Sequence, residues 1–219
     1  MHPSFHDLRI PLFWKLHEAW NGASLLSIER FYNLFNCVNY IEDAGIEGAI
    51  VECGVYKGGS VAFEASLLKS RGTTDRPFYL FDTFDGFPDD IEDVSFNGEK
   101  LTRDVWVTEN FRQITERNLT RSGYPMNNFN LVPGFVEDTL PAQAPEKIAL
   151  LHLDTDYYRS TLHELNHLYP RLVSGGVLVI DDYGHFDGAR QAVDEYIAEN
   201  KLSLLLNRVD YSGRVAIKP

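Results

Sequence analysis

At 219 residues and 44% apolar content, the chain can furnish the core of one compact domain, 1–219, and no second domain is expected. A formal net charge of −12 with no Lys/Arg cluster argues against a nucleic-acid or anionic-membrane partner, which would need a basic face. Cys37 and Cys53 are too few for a disulfide framework and sit in no metal-ligand spacing, so a reducing cytoplasm is the default setting and Cys53 reads as a small buried residue.

In the N-terminal segment His2, His6, Asp7 and Arg9 interrupt the apolar residues, unlike the basic head and continuous apolar run of a targeting signal. Apolar runs are a few residues each, against the ~20 needed to cross a bilayer, so a soluble chain is expected. Leu12, Phe13, Leu16, Ala19 and Trp20, then Ile28, Phe31, Tyr32, Phe35 and Val38, recur at helical spacing. They predict an N-terminal helical cap over 1–45 with its apolar faces packed on a sheet; contact with substrate or with a second subunit of a homo-oligomer is the secondary reading.

Strand-like runs then alternate with helical stretches, the pattern of an α/β, Rossmann-like, doubly wound parallel sheet. The runs are 49–55, 78–82, 129–135, 148–153 and 177–180. Helices are predicted from near Val61, over 160–171 and over 189–200, with Gly175 and Gly176 as the stop and turn after the second of these. Leu202 to Val209, a turn at 210–213 and Val215 to Ile217 predict a terminal antiparallel hairpin joined to the sheet. The segment 85–128 is too long for an ordinary connection and is rich in Gly, Pro and acidic residues; it predicts a lid insertion with one helix near 108–119.

Glu52, Gly54, Val55, Tyr56, Gly58 and Ser60 belong to a strand–glycine turn–helix passage that suits a nucleotide-like ligand. The dinucleotide pattern GxGxxG is absent, and Glu52 would repel a pyrophosphate while accepting a cationic or neutral group. Asp82, ending the second strand, is placed to accept the ribose hydroxyls of an adenosyl group; capping its own turn is the other reading. Thr83, Phe84 and Phe87 follow it and can wall the same crevice, and Phe135 can pack on a base.

Two acidic pairs end the fourth and fifth runs: Asp154 with Asp156, and Asp181 with Asp182. Carboxylates crowded at one sheet edge are costly without a cation, which points to a divalent metal. Asp156 either shares Asp154's face or opens the following helix.

The stretches VECGVYKGGS, FDTFDGFP, LHLDTDYYRSTLHELNHLYPRLVSGGVLVIDDYG and GARQAVDEY resemble the macrocin O-methyltransferase (TylF/MycF) family over roughly residues 48 to 200. That resemblance implies a seven-stranded methyltransferase sheet, S-adenosylmethionine as methyl donor, Mg2+, and a hydroxylated small-molecule acceptor such as a natural-product sugar. It matches Asp154, Asp181 and Asp182 to the metal-binding aspartates, and Glu52, Gly54 and Asp82 to cofactor contacts. Three carboxylates without His or Cys also favour a hard cation that keeps waters, as Mg2+ does.

The chemistry expected is activation of one of two neighbouring acceptor hydroxyls beside the metal, followed by attack on the donor methyl. Asp154 and His185 are the candidate bases. His152, inside a strand, reads as a core histidine, and His163 with His167 as a solvated helix face. A nucleotide-dependent oxidoreductase and a non-catalytic adenosyl- or metal-binding module are the alternatives. The acceptor class stays open among sugars, catechol-like phenols and other diols.

Overall fold

The computed structural model describes residues 5, 8–86, 98 and 110–219. Helices α1 (Pro11–Trp20) and α2 (Ile28–Asp43) precede strand β1 (Ala49–Cys53), helix α3 (Gly59–Arg71) and strand β2 (Phe78–Asp82). After helix α4 (Phe111–Ser122) come β3 (Phe129–Pro133), the single turn α5 (Val136–Thr139), β4 (Ile148–Leu153) and α6 (Tyr158–Leu168). Strand β5 (Leu172–Ile180), helix α7 (Asp187–Glu199) and strands β6 (Asn207–Arg208) and β7 (Arg214–Ile217) complete the chain.

The strands form one seven-stranded sheet in the order β3-β2-β1-β4-β5-β7-β6. The first five are parallel, and β7 joins β5 antiparallel. This is the seven-stranded α/β sheet that the resemblance implied. Strand order reverses between β1 and β4, so the carboxyl ends of these neighbours open the crevice where α/β sheets bind ligands.

Alternation along each strand feeds two cores. Ile50, Leu150 and Val179 face the layer of α1, α2 and α3, where Phe13, Phe31, Val38 and Phe63 are buried. Val51, Leu151 and Leu178 face the other side, with Leu165, Val193 and Tyr196 of α6 and α7. Both faces are covered, as a parallel sheet requires. The N-terminal helices thus share one layer of the sandwich with α3: Trp20 donates its indole N–H to Ser66 of α3 at 3.1 Å.

Three expectations about boundaries are corrected. Gly175 and Gly176 lie inside β5, because α6 ends instead in a short 3-10 turn at Tyr169–Arg171. Gly175 has φ +80° and donates its N–H to the Lys218 carbonyl at 2.8 Å, and the β4–β5 register shifts beside it; here glycine permits a bulge. Helix α3 starts at Gly59, capped by Gly58 in the left-handed region at φ +72°. The first hairpin arm shrinks to Asn207–Arg208, since Leu202, Leu204 and Leu206 pack against the second core.

Of the predicted lid, residues 87–97 and 99–109 lie outside the described residues, and with them Phe87. Its C-terminal part is α4, which braces the glycine turn: Thr115 Oγ1 donates to the Tyr56 carbonyl at 3.0 Å and Asn118 Nδ2 to the Lys57 carbonyl at 2.8 Å.

Candidate active site

A cavity of about 360 Å³ opens at the carboxyl edge of β1, β2, β4 and β5. Its walls include the turn after β1, the ends of β2 and β3 at Asp82, Thr83 and Phe135, and all four aspartates of the acidic pairs.

The glycine turn is built by contact, not by flexibility. Gly54 has φ +84°, and a Cβ on it would lie 1.9 Å from the Asp154 carbonyl oxygen. A Cβ on Gly58 would meet the Thr115 methyl at 2.9 Å. Asp82 ties the turn down: Oδ2 accepts the N–H groups of Val55 at 2.6 Å and Tyr56 at 2.8 Å, and Oδ1 accepts that of Phe84 at 2.7 Å. A carboxylate has about four acceptor positions, so Asp82 retains about one. It therefore serves both turns while keeping about one acceptor position toward the cavity. Burial raises its pKa, against the backbone N–H groups that lower it. Thr83 Oγ1 donates to the Gly86 carbonyl at 2.6 Å, and Phe135 stands 37% exposed on the wall.

Beneath the turn, Glu52 is buried and accepts the Ser60 hydroxyl at 2.5 Å. His152, fully buried on β4, is suspended between carboxylates. Its Nδ1 lies 3.4 Å from Glu52 Oε2 and its Nε2 lies 3.6 Å from Asp181 Oδ1. Both are ion-pair rather than hydrogen-bond distances. Burial opposes its charged form, but Glu52 and Asp181 outweigh this and hold its pKa well above the usual histidine value. The core histidine read from the sequence thus lies between carboxylates from the two halves of the site.

Among the described residues, Asp154, Asp156 and Asp182 each offer a carboxylate oxygen within 4.8 Å of the others. Asp156 takes φ +73°, a strained conformation that aspartate tolerates better than most residues. Burial, then Asp181 and Asp182, push the Asp154 pKa well up; burial and Asp182 do the same to Asp156. Asp182 is pushed up to about 7 by burial and by Asp181. Asp182 Oδ2 and Asp181 Oδ1 are buried without a hydrogen-bond partner. The unpartnered Asp182 oxygen fits a hard, oxygen-liganded cation, whereas Asp181 Oδ1 faces His152 at 3.6 Å.

Asp181 lies outside this trio. Its Oδ2 contacts Arg30 Nη1, and its carbonyl accepts the Ser212 hydroxyl at 2.6 Å. Arg30 comes from α2 and also reaches Asp210 Oδ2 through Nε at 2.9 Å. It is the one Lys or Arg among the described residues lining the cavity. Sequence reasoning missed it, although the demand of the adjacent aspartates for a cation was the available signal; no spacing ties residue 30 to residue 181.

His185 lines the cavity with its Nδ1 3.1 Å from the Tyr211 hydroxyl. Tyr211 and Leu25 give the rim apolar surface, at 50% and 62% exposed. His163 and His167, with ring centroids 4.4 Å apart and planes tilted by 60°, lie away from the cavity lining.

The sequence profile of the family described as Macrocin-O-methyltransferase (TylF) matches residues 19–217. The chain is 32% identical over 195 residues to the mycinamicin III 3''-O-methyltransferase of Micromonospora griseorubida, covering 87% of this chain and 76% of that protein. It is 32% identical over 207 residues to the 8-demethyl-8-(2,3-dimethoxy-alpha-L-rhamnosyl)-tetracenomycin-C 4'-O-methyltransferase of Streptomyces olivaceus, covering 90% and 77%. The solved structure of the O-methyltransferase NovP superposes with a TM-score of 0.78 at 28% identity, covering 90% of this chain and 82% of NovP. With a methyltransferase sheet, a crevice at its switch point and this breadth of similarity, the chain belongs to the macrocin O-methyltransferase (TylF) family and is an O-methyltransferase.

Proposed function

We propose that the protein transfers a methyl group from S-adenosylmethionine to a hydroxyl of a small acceptor, a natural-product sugar or other vicinal diol, with Mg2+ held at the acidic floor, and that it acts in the cytoplasm. The observation that carries this reading is the sharing of one cavity by the glycine turn with Asp82 and by a cluster of three carboxylates, of which Asp182 has a buried oxygen without a hydrogen-bond partner. Names of relatives support the acceptor class, since the Micromonospora and Streptomyces proteins are named for methylating mycinamicin III and a rhamnosyl tetracenomycin. Two buried free cysteines and the absence of any helix, among the described residues, long and apolar enough to span a membrane accord with that compartment. The oxidoreductase alternative is set aside by the family.

When bound, the donor supplies an activated methyl and the divalent cation supplies Lewis acidity to an acceptor hydroxyl. The chain does the rest by placement. Glu52 offers negative charge at the root of the turn, suited to a cationic ligand group. Asp82 keeps an acceptor position for a hydroxyl, and Phe135 presents a ring face. Asp154 and Asp182 would hold the cation, with Asp156 as third ligand by proximity and Asp181 beside them under the charge of Arg30. Two groups are placed to take the hydroxyl proton: the Asp154 carboxylate at the floor and the His185 imidazole at the rim.

Calorimetry with S-adenosylmethionine and NAD, with and without Mg2+, followed by radiolabelled methyl transfer to a panel of glycosides, catechols and other diols, tests the proposal. Binding of NAD without S-adenosylmethionine would defeat it. Binding of donor and Mg2+ with no transfer to any diol would leave a non-catalytic module.

A further inference from the structure

We infer that Arg30 is a built-in cation that competes with the divalent ion for Asp181 and thereby holds down the metal affinity of the acidic floor. The inference rests on the metal reading proposed above.

Asp181 and Asp182 are neighbours on the chain, yet their carboxylates have different company. Asp182 faces Asp154 and Asp156, whereas Asp181 Oδ2 is held by Arg30 and Asp181 Oδ1 looks toward His152 at 3.6 Å. The pairing is part-buried, with side-chain exposures of 14% for Arg30 and 4% for Asp181. It is also anchored from behind. Asp210 Oδ2 accepts Arg30 Nε at 2.9 Å and the Ser27 hydroxyl at 2.9 Å, while its Oδ1 accepts the N–H groups of Ser212 at 2.9 Å and Gly213 at 2.6 Å. Ser27 in turn caps α2 by accepting the Arg30 N–H at 3.1 Å. The guanidinium is therefore fixed at the site by both the helix that carries it and the β6–β7 turn.

A guanidinium keeps its charge at every working pH. Beside a divalent site it acts twice: it repels the incoming ion, and it occupies a carboxylate that would otherwise become a further ligand. Three carboxylates and open positions suit Mg2+, which retains waters; a fourth freed carboxylate would make a tighter, more anionic cage. Without metal, Arg30 spares Asp181 an unpaired buried charge. With metal, Asp181 is contested.

The test is Mn2+ binding in the absence of methyl donor, followed by the paramagnetic resonance of free Mn2+, with folding checked by thermal melting. Arg30→Gln should bind Mn2+ on the order of tenfold more tightly than the parent, as expected when a nearby positive charge is removed. Arg30→Lys, which restores the charge, should return affinity toward the parent value. A folded Arg30→Gln protein that binds Mn2+ no more tightly than the parent overturns the inference, because a merely structural role would loosen the site. A parent protein that binds no Mn2+ overturns the metal reading itself, and this inference with it. A second measurement needs no neutral variant: NMR of the Arg30 guanidinium in the parent protein, assigned with Arg30→Lys. Saturating Mg2+ should shift its Nε–H resonance and speed its solvent exchange, and an unchanged guanidinium spectrum at saturation overturns the competition.

Discussion

Gly54 and Asp154 stand back to back, so close that a Cβ on the glycine would lie 1.9 Å from the aspartate carbonyl oxygen. The turn that would cradle the methyl donor and the strand end that would hold the metal are thereby one contact. Gly54→Ala should damage both at once. The left-handed backbone alone costs about 1–2 kcal/mol for a residue with a Cβ, and the clash with backbone adds to it. Urea denaturation should show the loss, and calorimetry should show weakened binding of both S-adenosylmethionine and Mg2+. Normal donor binding in a destabilised variant would mean that the two halves are independent.

Asp182 belongs to the trio that faces the cavity, and one of its oxygens is buried without a partner. Asp182→Asn keeps the shape and removes the charge. Mg2+-dependent turnover should fall on the order of a hundredfold or more, the scale of losing several kcal/mol of metal-borne stabilisation. Donor affinity, resting on the β1 turn and Asp82, should stay nearly unchanged. Steady-state kinetics paired with calorimetry makes the comparison, and undiminished turnover would remove Asp182 from the metal site.

Asp182 is pushed up to about 7 by burial and by Asp181. An unfolded aspartate titrates near about 3.9. Between these values the folded metal-free protein binds the extra proton, so this group's stabilising contribution is present at low pH and is lost as pH rises toward 7. Melting temperature in EDTA should therefore decline from about pH 5 to about pH 8 through this group, and the rise in melting temperature on adding Mg2+ should grow over the same window. Mg2+ stabilisation that is constant or shrinking with pH would count against protonated carboxylates at an empty floor.

His185 and Asp154 separate as bases by mutation. If His185 takes the hydroxyl proton, His185→Gln should lower kcat by roughly 10²–10⁴-fold, the usual weight of a general base, with donor affinity intact. Full kcat in that variant would assign the proton to the Asp154 carboxylate. Tyr211→Phe, which removes the hydroxyl 3.1 Å from His185 Nδ1, should then also leave kcat unaltered.

The acidic strand ends and the glycine turn were legible because each is a local pattern: an apolar run, then a residue type that an emerging strand end needs. Asp154, Asp156, Asp181 and Asp182 all reach the cavity, as do Glu52, Gly54, Val55, Tyr56, Ser60, Asp82, Thr83, Phe135 and His185. Gly58 instead packs under α4 as the cap of α3. His152 is the core residue that its apolar run announced, but the run could not show the carboxylates on either side of it. Gly175 with Gly176 looked like a helix stop because glycine follows the helix, and lies inside β5 instead.

By itself the sequence determined the alternating α/β order, the doubly covered parallel sheet and the family, since periodicity and short motifs are written along the chain. Only the tertiary structure decided which charges meet. Arg30 reaches Asp181 across 151 positions of sequence, Asp210 steadies it from the C-terminal turn, and His152 finds Glu52 on one side and Asp181 on the other. Ion pairs act over a few ångströms of space, and strand order, not sequence spacing, sets that distance.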